Sequence, residues 1–463
     1  MNYHFFNFKR FGEDYLLTND FGNYTFVSES VLKEIVKKNI NPRSELGQKL
    51  IEGGFIYEGS PLIHDVDQVG KLRNIKGFLL NATSLHIFVV TNACNLSCVY
   101  CQANKGKRNP QLMMTEETAR QAVDIALQAP SRHLSFEFQG GEPLLNFPII
   151  RYIVEYTEQH KGTHEIDYSI VSNLIPLTEE VLSFSKEYHI SISTSLDGPE
   201  NIHNVNRRFL DGRGSYSQVM KGIEKARSAG LHIGAIETTT AISLNHGKEI
   251  VKAYYDLGFN SVFIRPLTPL GRANTDWESI GYAPEEFLKF YTDVLEAAMA
   301  RNREGYYFRE EHAALFLRRI MGQNINYMEL RSPCGAGIGQ LAYYADGSIF
   351  TCDEARMVYE MGYDQFKLGT VNDNDYQSLI SNSICKTVCA SSVLESLPSC
   401  TDCVYQPYCG TCPVINYALC GDLIEKTPGN HRCRIYQGIL DQIFSVLHRG
   451  DERDIQIFRN WSN

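Results

Sequence analysis

The chain has 463 residues, 43% of them hydrophobic and 21% charged, with a formal net charge of −10. That is ordinary globular composition for two or three domains, without the basic excess of a protein that tracks nucleic acid phosphates, so RNA and DNA partners are disfavoured. No apolar run approaches the roughly 18 residues of a membrane-crossing helix, and MNYHFFNFKRF lacks the apolar core and cleavage site of a secretory signal. No membrane association is expected, and the 13 cysteines are expected in a reducing cytoplasm, serving metal, not disulfides.

Residues 1–80 read as a small separate module. Phe5–Lys9, Tyr15–Thr18 and Tyr24–Val27 alternate polar and apolar residues, with turns at Asn19-Asp20 and Gly22-Asn23. Ser28 suits the cap of a helix over Glu29–Lys38. A second helix is expected from Pro42 to Glu52, stopped by Gly53-Gly54, and Phe55-Ile56-Tyr57 returns as a strand. A structural cap fits this pattern.

Residues 81–310 alternate strands and helices. The expected strands are Leu85–Val90, Leu134–Phe138, Ile166–Val171, Ile190–Ser195, Ile233–Thr238 and Ser261–Arg265. Helical patterns lie between them at Thr115–Gln128, Pro148–His160, Thr178–Tyr188, Ser217–Ala229 and Asn245–Leu257. Strict alternation implies a parallel sheet with right-handed crossovers. Six such units fit an α/β fold of the partial (β/α)6 TIM-like barrel kind, although a doubly wound sheet gives a similar pattern. In barrels the chemistry sits where strands end.

Three cysteines, Cys94, Cys98 and Cys101, follow the first expected strand at the spacing C-x3-C-x2-C. Three thiolates hold three corners of a cubane iron–sulfur cluster and leave one iron open, whereas four would usually close it into an electron carrier. A zinc knuckle usually takes four ligands in two C-x2-C pairs. Here the first gap is three, and the nearest histidine, His86, lies inside the strand. Gly140-Gly141-Glu142-Pro143 follows the second strand. Its glycines allow close backbone approach to a ligand, and Glu142 offers a carboxylate to a positive group; alone, the string could be an ordinary turn. Ser172-Asn173 and Ser195-Leu196-Asp197-Gly198-Pro199 end the third and fourth strands, and Glu237 and Arg265 the fifth and sixth. Polar groups at successive strand ends converge on one mouth. For Glu237 and Arg265 a structural salt bridge fits equally well.

Residues 334–433 hold the other ten cysteines: Cys334, Cys352, Cys385, Cys389, Cys400, Cys403, Cys409, Cys412, Cys420 and Cys433. Hydrophobic periodicity is poor here, so ligand bonds are expected to replace much of a core. Cys400, Cys403, Cys409 and Cys412 in isolation would also fit a zinc ribbon. Arg434 to Leu447 reads as an amphipathic closing helix, with Ile435, Ile439, Ile443 and Val446 on one face.

VTNACNLSCVYC, with Tyr100 before its third cysteine, resembles the cluster loop of radical S-adenosylmethionine (SAM) enzymes. The GGEP string one unit later resembles the motif that binds the amino group of SAM. Ile202-His203-Asn204-Val205-Asn206-Arg207 resembles the stretch where an arginine pairs with the cofactor carboxylate, a task suited to a planar guanidinium. The resemblance implies that Gly140, Gly141, Glu142, Pro143, Ser172, Asn173, Ser195, Asp197 and Arg207 surround the cofactor.

The C-terminal cysteines resemble the SPASM extension of radical SAM peptide maturases, which implies two auxiliary [4Fe–4S] clusters. Cys334, Cys352 and Cys412 would hold the nearer, and Cys400, Cys403, Cys409 and Cys433 the farther. The last gap in the run is two residues where the family usually has three. No cysteine follows Cys334 closely, which leaves Cys385, Cys389, Cys420 or an open position as the nearer cluster's fourth site. Asp353 resembles an aspartate that serves as a base in enzymes oxidising a Cys or Ser of sulfatases, implying a catalytic role; a turn carboxylate fits as well.

The N-terminal FFNFKRFGEDYLLTNDFGNYTFVSES resembles the start of His-Xaa-Ser system radical SAM maturases, and the module resembles winged-helix peptide-recognition elements. Together these imply a winged-helix-like module over 1–80, a radical SAM barrel over 81–310 and a SPASM domain over 311–463. The implied activity uses an electron from an external donor to cleave SAM. The resulting 5′-deoxyadenosyl radical takes hydrogen from a side chain of a ribosomally made precursor peptide, leaving a crosslink or an oxidation. A sulfatase-maturing oxidase is the alternative within enzymes. An iron–sulfur electron carrier or zinc scaffold would leave the strand-end motifs without purpose.

Overall fold

The structure is a computed structural model and describes residues 2–103, 111–322, 326–424 and 430–463. At its centre among the described residues is a ten-stranded sheet. Its order is Arg309–Glu310, Ser261–Arg265, Ile233–Thr238, Ser191–Ser195, Glu165–Val171, His133–Gly140, Leu85–Thr91, Gln340–Tyr343, Ser348–Phe350 and Lys367–Thr370. The first eight run parallel, Ser348–Phe350 runs antiparallel to them, and Lys367–Thr370 turns again to pair antiparallel with Ser348–Phe350. The six strands expected from the sequence lie side by side in chain order, the order of a barrel. A doubly wound sheet would reverse direction midway.

Leu85–Thr91 shows why its sequence is a continuous apolar run. Phe88 and Val90 enter the main core beneath the helices, while Ile87 and Val89 enter a second core with Phe350, Ala355, Val358 and Val414. Side chains alternate across a strand, so both faces are buried and both must be apolar. The helices form near their expected bounds. Thr115 caps Glu116–Ala126 through Thr118 N and Thr178 caps Glu179–Glu187 through Val181 N.

The expectation of a core-poor C-terminal region is overturned. Gln340–Tyr343, Ser348–Phe350 and Lys367–Thr370 extend the main sheet, and the second core lies under them. Elements of three to eight residues are too short to display a period over the 11–18 residues in which it is read. The closing helix spans His431–Arg449, with Ile435, Ile439, Ile443 and Val446 buried. A further helix, Glu452–Ser462, follows it.

In the N-terminal module, Asn7–Phe11, Asp14–Thr18 and Tyr24–Ser28 form an antiparallel sheet. The first strand sits two residues later than expected, because Lys9 pairs with Leu16 and Phe11 with Asp14 across the turn at Gly12. Ser28 caps Glu29–Val36 through Val31 N, and Ser44 caps Glu45–Glu52 through Gly47 N. This sheet is fastened to the cysteine-rich segment. Asn7 Nδ2 donates to Thr401 O and Cys403 O at 3.0 and 3.1 Å, and Thr18 Oγ1 to Val404 O at 2.7 Å. No described helix is long and apolar enough to cross a membrane.

Candidate active site

The loop after Leu85–Thr91 is held on three sides. Thr91 Oγ1 accepts from Ala93 N at 3.0 Å, Ser97 N donates to Arg208 O at 2.7 Å, and Val99 N donates to Asn206 O at 2.9 Å. Arg272 N reaches Cys101 O at 2.9 Å. Cys94, Cys98 and Cys101 line one cavity that opens to solvent. Burial, reinforced by the neighbouring thiols and the Glu142 carboxylate, pushes the Cys94 thiol up to about 12. Burial and then Cys98 push Cys101 to about 11. A metal bound here would displace those protons.

Gly140 and Gly141 serve the protein backbone before any ligand. A Cβ on Gly140 would lie 2.3 Å from Thr91 O, and one on Gly141 would lie 2.4 Å from Ala93 O. Gly141 N and Glu142 N donate to those same carbonyls at 2.9 and 2.8 Å. The GGEP turn is thus sealed against the cysteine loop, and only glycine permits the approach. The buried Glu142 carboxylate accepts from Ser172 Oγ and Asn173 N at 2.8 Å and from Leu144 N at 3.0 Å. Burial raises its pKa, against those bonds. Three donors leave acceptor capacity for a cation.

Across the cavity, Arg207 Nη1 donates to Tyr100 OH at 2.8 Å, and Tyr100 OH donates to the Asp197 carboxylate at 2.9 Å. Arg207 is buried, and its Nε has no partner among the described residues. Ser172, Asn173 and Ser195 line the cavity with Glu142 and Arg207. Asp197 and Pro143 are not lining residues. Asp197 lies behind Tyr100 and also receives Thr238 N at 3.4 Å, while Pro143 opens a buried turn.

Glu237 points away from the cavity, its Oε2 receiving Thr239 Oγ1 at 2.8 Å, and the lining residue is its neighbour Thr238. Alternation along the strand decides which of the two faces the mouth. Arg265 does line the cavity and pairs with Glu329 at 2.8 Å, not with Glu237.

Arg356, Met357 and Gln139 also line the cavity, and sequence reasoning missed them. Arg356 donates to Gln139 Oε1 at 3.3 Å and to the Asp353 carboxylate. Asp353 itself is not among the lining residues. The signal available was the i, i+3 spacing of Asp353 and Arg356 just after Cys352.

The remaining cysteines fall into groups. Cys334, Cys352 and Cys412 are buried in the second core. Cys400, Cys403 and Cys433 act electrostatically on Cys409, and Gln437 Nε2 lies 3.3 Å from Cys433 Sγ and 4.0 Å from Cys403 Sγ. Cys385 gives its thiol to Leu379 O, and Cys420 is exposed with its thiol on Asn416 O. Among the described residues no three His, Cys, Asp or Glu converge tightly enough for a single metal ion. A cubane spreads its ligands more widely. The donor set therefore fits a cluster: three thiols, a buried carboxylate for an ammonium and a buried guanidinium with an orphaned N–H for a carboxylate, all in one cavity.

Residues 88–269 match the model of the radical SAM superfamily. Enzymes of that superfamily use a [4Fe–4S] cluster and SAM. An uncharacterized protein of Methanocaldococcus jannaschii is 34% identical over 183 residues, 40% of this chain and 62% of its own length. The cysteine-type anaerobic sulfatase-maturating enzyme of Clostridium perfringens is 24% identical over 65% of this chain and 80% of its own. The radical SAM cyclopropyl synthase TigE of Paramaledivibacter caminithermalis is 24% identical over 96% and 88%. Among solved structures, anSMEcpe with bound AdoMet and the Kp18Cys peptide superposes with a TM-score of 0.69 at 22% identity, over 82% of this chain and 99% of that one. Streptococcus suis SuiB bound to its precursor peptide SuiA gives 0.55 at 15%, over 92% and 98%. At these identities the likeness is one of fold.

Proposed function

We propose that this radical SAM enzyme acts on a ribosomally made precursor peptide and leaves a crosslink or an oxidised side chain in it. The observation that carries the reading is the single cavity shared by Cys94, Cys98, Cys101, Glu142, Arg207 and Arg356. When bound, the cluster and SAM supply one-electron chemistry that removes hydrogen from an unactivated carbon.

The chain's own residues bind, orient and enclose. Cys94, Cys98 and Cys101 would hold three irons. Glu142 and Arg207 offer opposite charges to the ammonium and carboxylate of one amino-acid head group. Ser172, Asn173 and Ser195 offer polar contacts to a ribose. Arg356 and Met357, from the C-terminal segment, limit water on the remaining side. An external one-electron donor completes the partners.

Peptides bound to anSMEcpe and SuiB support a peptide substrate. The N-terminal sheet supports leader docking, since Asn7–Phe11 is an edge strand with Phe8 exposed. Sulfatase maturation is the second reading, favoured by similarity to the Clostridium perfringens enzyme. Co-expression with each short open reading frame that neighbours this gene, followed by mass spectrometry, tests the proposal. A mass change that needs Cys94, Cys98 and Cys101 is expected. An unaltered precursor alongside a modified sulfatase peptide would overturn it in favour of the second reading.

A further inference from the structure

A second cavity lies beside the first. Arg265, the last residue of Ser261–Arg265, and Pro266 line both. The C-terminal segment builds the rest: the helix Pro413–Cys420 supplies Ile415 and Leu419, and His431–Arg449 supplies Arg432, Ile435 and Tyr436. With Leu267 and Pro269 these residues give an apolar wall around a few polar groups, the make-up of a ligand site.

The polar groups are held in place. Glu329 Oε1 receives Arg265 Nη2 at 2.8 Å and Tyr327 OH at 3.2 Å. Its Oε2 receives Tyr436 OH at 3.1 Å and Arg432 Nη2 at 3.3 Å. Four donors fill a carboxylate, so Glu329 has no acceptor left for a cationic ligand.

One acceptor and one donor are left over. His312 Nδ1 donates to the carbonyl of Ile264 at 3.2 Å. Burial, with the nearby Arg265 charge, lowers this imidazole to about 4, so the ring is neutral and Nε2 carries a lone pair. Among the described residues no hydrogen bond reaches that nitrogen. The ring is fixed between Phe316 and Tyr436, each 5.4 Å away. Arg432 lies over the same Tyr436 ring, 4.5 Å from its centre, and its Nε–H has no partner among the described residues. A carboxylate brings no hydrogen to His312, and an ammonium brings no lone pair to Arg432. A carboxamide or a hydroxyl brings both.

We propose that this second cavity binds a side chain ending in a carboxamide or a hydroxyl, carried by the peptide whose neighbouring residue reacts in the first cavity. The inference rests on the peptide reading, and it makes His312 and Arg432 determinants of sequence preference beside the reacting residue.

The test uses the anaerobically reconstituted full chain with SAM and four probes, acetyl-Gly-Xaa-Gly-amide with Gln, Glu, Lys or Leu at Xaa. Affinities are read by titration in saturation-transfer NMR. The Gln probe is expected to bind about tenfold tighter than the other three, because each of them leaves a polar group of the cavity unpaired. His312→Phe keeps an aromatic ring and removes the acceptor, and should bring the Gln and Leu probes to equal affinity. Leu419→Trp adds bulk at a position 39% exposed, and should weaken the Gln probe about tenfold by filling the cavity. Iron content and thermal unfolding report whether each variant has folded. Equal affinity for all four probes, no binding of any, or a Gln preference that survives both variants would overturn the inference. Selective binding with no peptide modified in co-expression would instead count against the peptide reading and leave the cavity's preference standing.

Discussion

Arg356 holds the carboxylate of Asp353, one helical turn before it, and of the two only Arg356 reaches the cavity. The pair joins the C-terminal segment to the end of strand His133–Gly140 through Gln139. A base at Asp353 must therefore act from behind a guanidinium.

Asp353→Asn keeps the shape and removes the proton acceptor. Peptide modification is expected to fall about 10²-fold or more, while 5′-deoxyadenosine still forms. Quantifying both products in one assay checks the split. Modification at the wild-type rate would leave Asp353 as the anchor of Arg356. Asp353→Ala leaves a buried guanidinium without its counter-ion and should cost about 3–5 kcal/mol in a denaturant titration.

Changing Cys94, Cys98 and Cys101 together to Ala should abolish SAM cleavage and remove about four of roughly 12 irons. Changing Cys400, Cys403 and Cys409 should remove a similar amount from a second cluster. Metal analysis after anaerobic reconstitution reads both. Stoichiometric zinc in place of the second loss would point to a ribbon.

Leader docking is tested without truncation. Deleting residues 1–80 would strip Thr401, Cys403 and Val404 of the donors on Asn7 and Thr18, and so disturb the cysteine loop as well. Phe5 and Phe8 are exposed, at 61% and 53%. Phe5→Asp with Phe8→Asp should weaken precursor binding at least tenfold and leave peptide-free SAM cleavage unchanged. Equal affinity by calorimetry would reduce the module to a structural cap.

Asp197 predicts a pH dependence. Burial raises its carboxyl to about 6, against the pull of Arg207. A raised carboxyl pKa penalises the ionised form in the folded state. Its contribution is therefore most favourable below the unfolded value of 3.8 and is lost as pH rises to about 6. The metal-free protein should lose on the order of 3 kcal/mol of stability across that window from this group. Asp197→Asn should flatten the trend in urea titrations at pH 4, 5 and 7. A slope equal to wild type would show that another group carries it.

Much of the central architecture was legible because each βα unit is a local pattern. The run from Leu85 to Val90, the acidic first turns after Thr115 and Thr178, and the three-cysteine spacing are all local, and a period or a gap is read along the chain. The short strands from Gln340 to Thr370 were not legible. They are held by pairing with Leu85–Thr91 and its neighbours, and no local period announces a pairing partner more than two hundred residues away.

The sequence by itself determined the chemistry on offer: which thiols stand at an open-cluster spacing, and which acids and arginines follow the strands. Tertiary structure decided which of them meet. It turned Thr238 to the cavity and Glu237 away, set Asp197 behind Tyr100, and brought Arg356 to a wall begun more than two hundred residues earlier. It also fastened the first strand to the loop of Cys400 and Cys403. The physical reason is that residue type and spacing are properties of the chain, whereas burial, register and the choice of partner come from packing elements that are remote in sequence.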